Sequence, residues 1–254
     1  MPRVTDHLVL HTIDGAADLL IEELRAMPSI HSIRQTSVTT VECAVDGSLD
    51  ELITCGLYST AAAQGRQAVA GIGRRFGQPE RLPWSTNLIV AEVLVRLAKI
   101  RPGHRVLDPF CGTGTIPRAV RRRDPNARVV GADHDPYALE LAARNGAHGS
   151  LVLATATALP LAAGTVDRVV ANLPFGKQVG SHRENRALYP AAFDEIARVL
   201  TQDGRVVLLT EDKRLLREAS QRHFKIVRER LLRYNGATPT AYVLTRPRRR
   251  APFS

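Results

Sequence analysis

The segment Ala171-Asn172-Leu173-Pro174-Phe175-Gly176 places an amide, a proline and an aromatic ring in one short turn. That combination suits the gripping of a planar amino group. The side-chain oxygen of Asn172 and the backbone oxygen of Leu173 are two acceptors for amine hydrogens. Pro174 fixes the shape of the turn, and Phe175 offers a stacking face. About sixty residues earlier stands Asp108-Pro109-Phe110-Cys111-Gly112-Thr113-Gly114-Thr115, a glycine turn after an apolar run. Glycine lets the backbone approach a ligand closely, and the N-terminus of the following helix favours a carboxylate. Asp133, 21 residues after Gly112, stands where an acid accepts both hydroxyls of a ribose. A dinucleotide fingerprint needs a further glycine three residues after the second. Pro117 occupies that position, which disfavours a pyrophosphate. S-adenosylmethionine has no phosphate and carries a sulfonium, so it fits this turn better. The two motifs together predict methyl transfer to the exocyclic nitrogen of a base.

Such a nitrogen is a poor nucleophile, because its lone pair is delocalised into the ring. Two acceptors on its hydrogens orient it and favour its pyramidal form. Alignment then supplies most of the rate, and no strong general base is required. A base inside a helix must first be flipped out. The residues expected at the cofactor are Asp108, Phe110, Gly112, Gly114, Thr115, Asp133, His134 and Asn172, with Thr86 near the methionine end. Those expected at the transfer step are Asn172, Leu173, Pro174 and Phe175. Plainer readings stand beside these. Asp108 is also a turn carboxylate, Asp133 a strand end, and Asn-x-Pro-aromatic a common way to leave a strand. Asp135 reads as the cap of a helix starting at Pro136. Lys177 is a phosphate contact or a surface lysine, Arg183 and Arg186 lie in a polar insertion, and Trp84 is expected in the core.

The elements that must position these residues fall into two blocks. In the first, His7–Thr12 reads as a strand, Asp14–Ala26 as an amphipathic helix and Ile30–Val45 as one or two strands. Ser48-Leu49-Asp50-Glu51 reads as a capping box opening a short helix. From Ser85 onward helices and strands alternate: helix Leu88–Ala98, strand His104–Leu107, helix Thr115–Arg122, strand Val129–Ala132, helix Pro136–Asn145, strands Leu151–Ala154 and Arg168–Ala171, helix Ala187–Leu200, strand Arg205–Thr210. Alternation of this kind builds a parallel sheet with helices on both faces. Phe224–Leu232 and Thr240–Arg246 have no helix between them and form an antiparallel pair turning at Asn235-Gly236. The boundaries are therefore a small α+β domain at 1–65, a Gly/Arg/Pro-rich linker at 66–84, an α/β domain at 85–247 and a basic tail at 248–254.

The chain of 254 residues is 44% hydrophobic, enough for a sizeable core. Its formal charge of +10, almost all from arginine, favours a polyanionic partner. Three cysteines without CxxC spacing suit a reducing compartment. No apolar run reaches membrane-spanning length and no leader opens at Met1, so a cytoplasmic protein is expected. The scattered histidines predict no metal site.

Asp108 to Thr115 together with Asn172 to Gly176 resemble the class I methyltransferases that modify exocyclic amines. More narrowly, they resemble the RNA guanine-N2 methyltransferases that carry a THUMP domain. Residues 85–246 are similar to that family's catalytic domain in motif order, including Leu188-Tyr189 and Asp203-Gly204-Arg205. Asp14-Gly15-Ala16 to Leu24 is similar to the start of its ferredoxin-like N-terminal domain, and Ser59-Thr60-Ala61 to that domain's end. The resemblance implies a Rossmann-like fold with a mostly parallel seven-stranded sheet, S-adenosylmethionine as cofactor, and guanine N2 of tRNA or rRNA as target. Two departures stand out. No THUMP segment intervenes between the two blocks. Thr155 occupies the place where the family carries an Asp on the adenine amino group, which leaves the backbone of Ala156 as a further contact. The same chemistry on DNA adenine N6, protein glutamine N5 or a small metabolite, and a non-catalytic RNA-binding role, are the alternatives.

Overall fold

The computed structural model describes residues 5–63, 66–69, 75–77, 79–147, 149–174 and 182–247. Phe175, Gly176 and Lys177 of the second motif, and the tail with Phe253, lie outside the described residues. The chain divides into two compact units. The first comprises residues 1–79, 87–93 and 231–238; the second comprises 80–86, 94–230 and 239–254. Residues 87–93 and 231–238, inside the range 85–247, thus fall with the first unit.

The first unit opens β1 (Thr5–His11), α1 (Ala17–Arg25), β2 (Ile30–Ser37), β3 (Thr40–Asp46), α2 (Asp50–Thr54), β4 (Thr60–Ala63), which is the βαββαβ order of ferredoxin-like units. A fifth strand, β5 (Arg66–Val69), completes a sheet of order β2-β3-β1-β4-β5 whose pairings are antiparallel. Alternation puts Val41, Cys43 and Val45 of β3 inside with Leu8 and Leu10 of β1, and Leu20 and Leu24 of α1 are fully buried.

Three expectations are corrected here. Residues 66–69 are strand and not linker, because pairing with β4 outweighs the weak strand preference of this Arg/Ala segment. Arg75, also in the expected linker, donates to the carbonyls of Cys55 and Tyr58 (2.7 Å each) and stacks 3.9 Å above the Tyr58 ring. The capping box does not close. Ser48 Oγ accepts from the Asp50 N–H (3.1 Å), and the Glu51 carboxylate instead accepts from Ser29 Oγ (3.0 Å).

The second unit holds the seven-stranded sheet. Its elements are β6 (Arg105–Asp108), α4 (Thr115–Arg123), β7 (Arg128–Asp133), α5 (Pro136–Arg144), β8 (Ser150–Leu153), β9 (Val166–Asn172), α6 (His182–Val199), β10 (Leu200–Thr210), α7 (Lys213–Ser220), β11 (Lys225–Leu231) and β12 (Thr240–Thr245). Helix α3 (Leu88–Ala98) precedes them and contributes Leu94 onward to this unit. The sheet order is β11-β12-β10-β9-β6-β7-β8. Pairings among β6, β7, β8, β9 and β10 are parallel, and β12 runs antiparallel to β10. Strands covered on both faces become apolar runs, as in Val106-Leu107, Val169-Val170-Ala171 and Val206 to Leu209, all buried. The hairpin turn is as expected: Asn235 (φ 48°) and Gly236 (φ 75°) are both left-handed, and Tyr234 bridges Ala237.

Helix α6 begins at His182, five residues before the expected Ala187, so Arg183 and Arg186 are helical and not in a loop. Its first turn is polar because that stretch is solvent-facing, which hides the helical period. Trp84 is 42% exposed and does not belong to the core.

Candidate active site

Strand order reverses between β6 and β9: the chain runs outward from β6 to β7 and β8, then returns to β9 on the other side. In open parallel sheets the ligand crevice opens at the carboxyl ends of the strands flanking this reversal. Asp108 is the last residue of β6 and Asn172 the last of β9. The two motifs therefore end on neighbouring strands about 4.8 Å apart, with Asn172 two residues further along than Asp108 in the register.

The glycine turn is fixed by its own acid residues. Asp108 Oδ1 accepts from the Phe110 N–H (3.1 Å), and Asp133 Oδ2 accepts from the Gly112 N–H (2.8 Å). Asp133 Oδ1 accepts from Asp135 N–H, and Asp135 in turn caps α5 through the Tyr137 N–H (2.9 Å). His134 lies exposed with Nδ1 3.3 Å from Asp133. Both glycines have left-handed φ, but for different reasons. A methyl group on Gly114 would lie 2.6 Å from Ala147 Cβ, whereas one on Gly112 would meet nothing within 4 Å. Gly114 permits close packing; Gly112 leaves open space beside the backbone. Thr115 is buried at the start of α4, and Phe110 is half-buried against the core. Beyond β8, Thr155 is exposed and shares a hydrogen bond with Thr157 (3.0 Å), next to buried Ala156.

Among the buried oxygens here without a partner in the described residues are the two at the strand ends, Asp108 Oδ2 and Asn172 Oδ1, together with Asn185 Oδ1 on α6. Asp108 is 2% exposed. Burial pushes its carboxyl well above the usual carboxylate range; the Asp133 charge adds to this and the Phe110 N–H opposes it. Asn172 is held from the other side, its Nδ2 donating to Thr86 Oγ1 (3.1 Å). Thr86 thus contacts Asn172 directly. A buried acceptor left without a donor is costly, so each of these atoms marks a place for one.

Several contacts at this site carry no sequence signal. The Pro174 carbonyl accepts from both Asn185 Nδ2 and Tyr189 Oη, each at 2.8 Å. Tyr189 also reaches Thr210 Oγ1 (3.0 Å), which accepts from the Asp212 N–H. The turn after β9 is therefore pinned by α6 and the end of β10. Asn145 Nδ2 donates to the carbonyls of Thr113 and Glu80, and Ser85 Oγ lies 2.9 Å from Thr113 Oγ1. These bonds seat the segment carrying Thr86 on the glycine turn. Polar residues three or four apart on a helix suggest such anchors, but their partners lie too far along the chain to be inferred.

Residues 83–239 match the model of the UPF0020, RMKL-like methyltransferase domain. The chain belongs to this family. It is 32% identical over 185 residues to the human tRNA (guanine(6)-N(2))-methyltransferase THUMP3, covering 65% of this chain and 36% of that protein. It is 35% identical over 179 residues to the tRNA (guanine(6)-N2)-methyltransferase of Thermus thermophilus, covering 68% of this chain and 53% of that one. The chain thus spans about a third to a half of the length of these curated relatives. Among solved structures, TrmN from Thermus thermophilus superposes with a TM-score of 0.78 at 22% identity, over 96% of this chain and 100% of that one. This UPF0020 chain therefore has the class I methyltransferase fold with an additional small N-terminal sheet domain. Among its described residues no helix is long and apolar enough to cross a membrane, and no group of three or more His, Cys, Asp or Glu is placed to hold a metal.

Proposed function

We propose that this protein is an S-adenosylmethionine-dependent methyltransferase acting on the N2 amino group of guanine in RNA, with tRNA the first substrate to test. One observation carries the reading: two unpartnered buried oxygens end adjacent strands at the switch point of the sheet. Asp108 Oδ2 suits a cationic donor, such as the ammonium of the cofactor's amino-acid end. The open side of Gly112 suits the close approach of that same molecule. Asp108, Phe110, Gly112, Gly114, Thr115, Asp133 and His134 would hold the cofactor, with Thr155 and Ala156 at its base. When bound, it supplies a methyl group on a sulfonium.

The residues of the chain do the rest. Asn172 Oδ1 accepts one hydrogen of the target amine, and its orientation is set by the Nδ2 bond to Thr86. The Leu173 carbonyl accepts the other hydrogen, drawing the nitrogen lone pair out of conjugation. Pro174 holds the turn, because its carbonyl is turned into Asn185 and Tyr189 and away from the amine. Phe175 stacks on the flipped base. The proton leaves once the nitrogen has become cationic, so Asn172 needs to orient and not to deprotonate. The tRNA guanine-N2 activities carried in the names of the relatives favour guanine N2 over the alternatives. Three free buried cysteines and a nucleic-acid substrate are compatible with a cytoplasmic site of action.

The test is transfer of tritiated methyl to bulk tRNA, rRNA, DNA and protein, followed by mass spectrometry of the digested product. N2-methylguanosine from RNA is the expected product. Label recovered in N6-methyladenine, methylglutamine or nothing at all would overturn the assignment.

A further inference from the structure

At the amino-terminal edge of the second unit's sheet lies a row of arginines with no part in the site. Arg168 on β9 is in register with Arg205 on the neighbouring parallel strand β10. In-register residues on parallel strands leave the sheet on the same face. Arg205 is also opposite Thr245 of β12, and β11 beyond it carries exposed Arg228. Arg101, exposed, stands just before β6 on the other side.

These four groups act on one another. Burial lowers the pKa of Arg168, and Arg205 and Arg101 lower it further. Burial likewise lowers that of Arg205, and Arg228 adds to it. Asp167 opposes this, but its Oδ2 already accepts from the Arg105 N–H (2.8 Å). Internal hydrogen bonding leaves much of the row unsatisfied. Arg168 Nη1 donates to the Asp167 carbonyl, while its Nε is buried without a partner. Among the described residues Arg205 reaches only the Leu97 carbonyl, at 3.4 Å. The side chains of Arg101 and Arg228 have no hydrogen-bond or ion-pair partner among the described residues.

Clustered guanidinium groups with one committed carboxylate repel each other. A bound polyanion would relieve that repulsion and supply planar acceptors matched to arginine. From β6 through β9, β10 and β12 to β11 the row crosses four strand intervals, about 19 Å. That length suits several consecutive phosphates on one backbone. Arg168 lies four residues before Asn172 on the same strand, about 13 Å from it.

We propose that the row Arg101, Arg168, Arg205 and Arg228 docks the phosphate backbone of the RNA whose base enters the switch-point site. This rests on the reading of RNA as substrate. It places part of the affinity beyond the reach of a mononucleotide.

The test is binding of a fluorescein-labelled tRNA transcript between 50 and 200 mM salt, followed by anisotropy. The variants are the triple Arg168→Gln/Arg205→Gln/Arg228→Gln and, because Arg168 and Arg205 are half-buried, the exposed double Arg101→Gln/Arg228→Gln. Each lost phosphate contact should lower the slope of log K against log salt by about 0.7–0.9. The expected fall is about 2–3 for the triple and about 1.5 for the double. KM for tRNA should rise at least tenfold in the triple, on the order expected from losing such contacts, with kcat and cofactor affinity unchanged. An unchanged slope in both variants overturns the proposal. So does a wild-type protein that binds no tRNA, or one whose row-dependent binding prefers phosphatidylserine vesicles to RNA. A lowered slope in a protein that methylates no RNA would keep the docking surface and discard the guanine reading.

Discussion

Replacing Asp108 with Asn separates the holding of a turn from the holding of a ligand. Asn keeps an oxygen for the Phe110 N–H, so the turn survives. What changes is the second oxygen, buried and unpartnered. An unsatisfied buried group costs about 1–3 kcal/mol, and more if charged. Removing the charge should stabilise the ligand-free protein, and each 1 kcal/mol corresponds to about 2–4 °C in Tm for a chain of this size. The sign with pH follows from the raised carboxyl. A folded-state pKa above the unfolded one contributes stability that is complete below the ordinary carboxyl range and is lost as pH rises through the folded value. The advantage of Asp108→Asn should therefore vanish at acid pH and grow towards neutrality. Cofactor binding should move the opposite way. Loss of one charge-assisted bond, about 1.5–3 kcal/mol, weakens Kd by about 10–150-fold. Scanning calorimetry from pH 4 to 8 and titration calorimetry with S-adenosylmethionine read both quantities. A lower Tm with unchanged affinity would refute the reasoning and leave Asp108 as a turn residue only.

Further expectations follow from the same geometry. Asn172→Ala should lower kcat by about 10²–10³, the usual cost of removing an acceptor or donor aimed at transition-state charge, while titration calorimetry shows cofactor Kd within about threefold. Tyr189→Phe removes one of two donors to Pro174, worth about 1 kcal/mol, and should reduce kcat about fivefold with cofactor affinity unchanged. Burial pushes the Tyr189 hydroxyl far up, so it stays a donor and should add no inflection to the pH–rate profile. Gly114→Ala meets both a left-handed φ and Ala147, and should cost at least about 1–3 kcal/mol in thermal stability. Gly112→Ala meets open space but also a left-handed φ, so it should cost about 1–2 kcal/mol in stability and weaken cofactor binding.

Much of this protein can be read from its residues, and the limits are physical. The alternation of helix and strand after Ser85 gives the parallel sheet, because buried strands are short apolar runs and their helices keep a 3.6-residue period. Asp108, Asp133 and Asn172 are legible because each ends such a run. The pairing of β6 with β9 is not legible in the pattern; it depends on topology across some sixty residues. Tyr189 hides for a related reason: its position on α6 is that of a core residue, and only the fold reveals that its hydroxyl meets Pro174 and Thr210. Residues 66–69 were misread because Arg and Ala announce no strand until a neighbour pairs with them. The arginine row escapes inspection because its members are scattered from 101 to 228, and the register that sets Arg168 beside Arg205 exists only in the fold.

The crossover at the centre of the sheet divides the labour of the site between two separate stretches of chain. Everything assigned to the donor from the glycine turn onward lies between Arg105 and Ala156, on β6, β7 and β8 with their connections. What pins the acceptor turn lies between Val166 and Asp212, on β9, α6 and β10, with Thr86 an earlier residue that orients Asn172. A lineage can therefore rewrite which amine it recognises by altering one contiguous block, while the block that handles the methyl source is left untouched. In that sense the reversal of strand order is a seam along which specificity and chemistry can evolve apart.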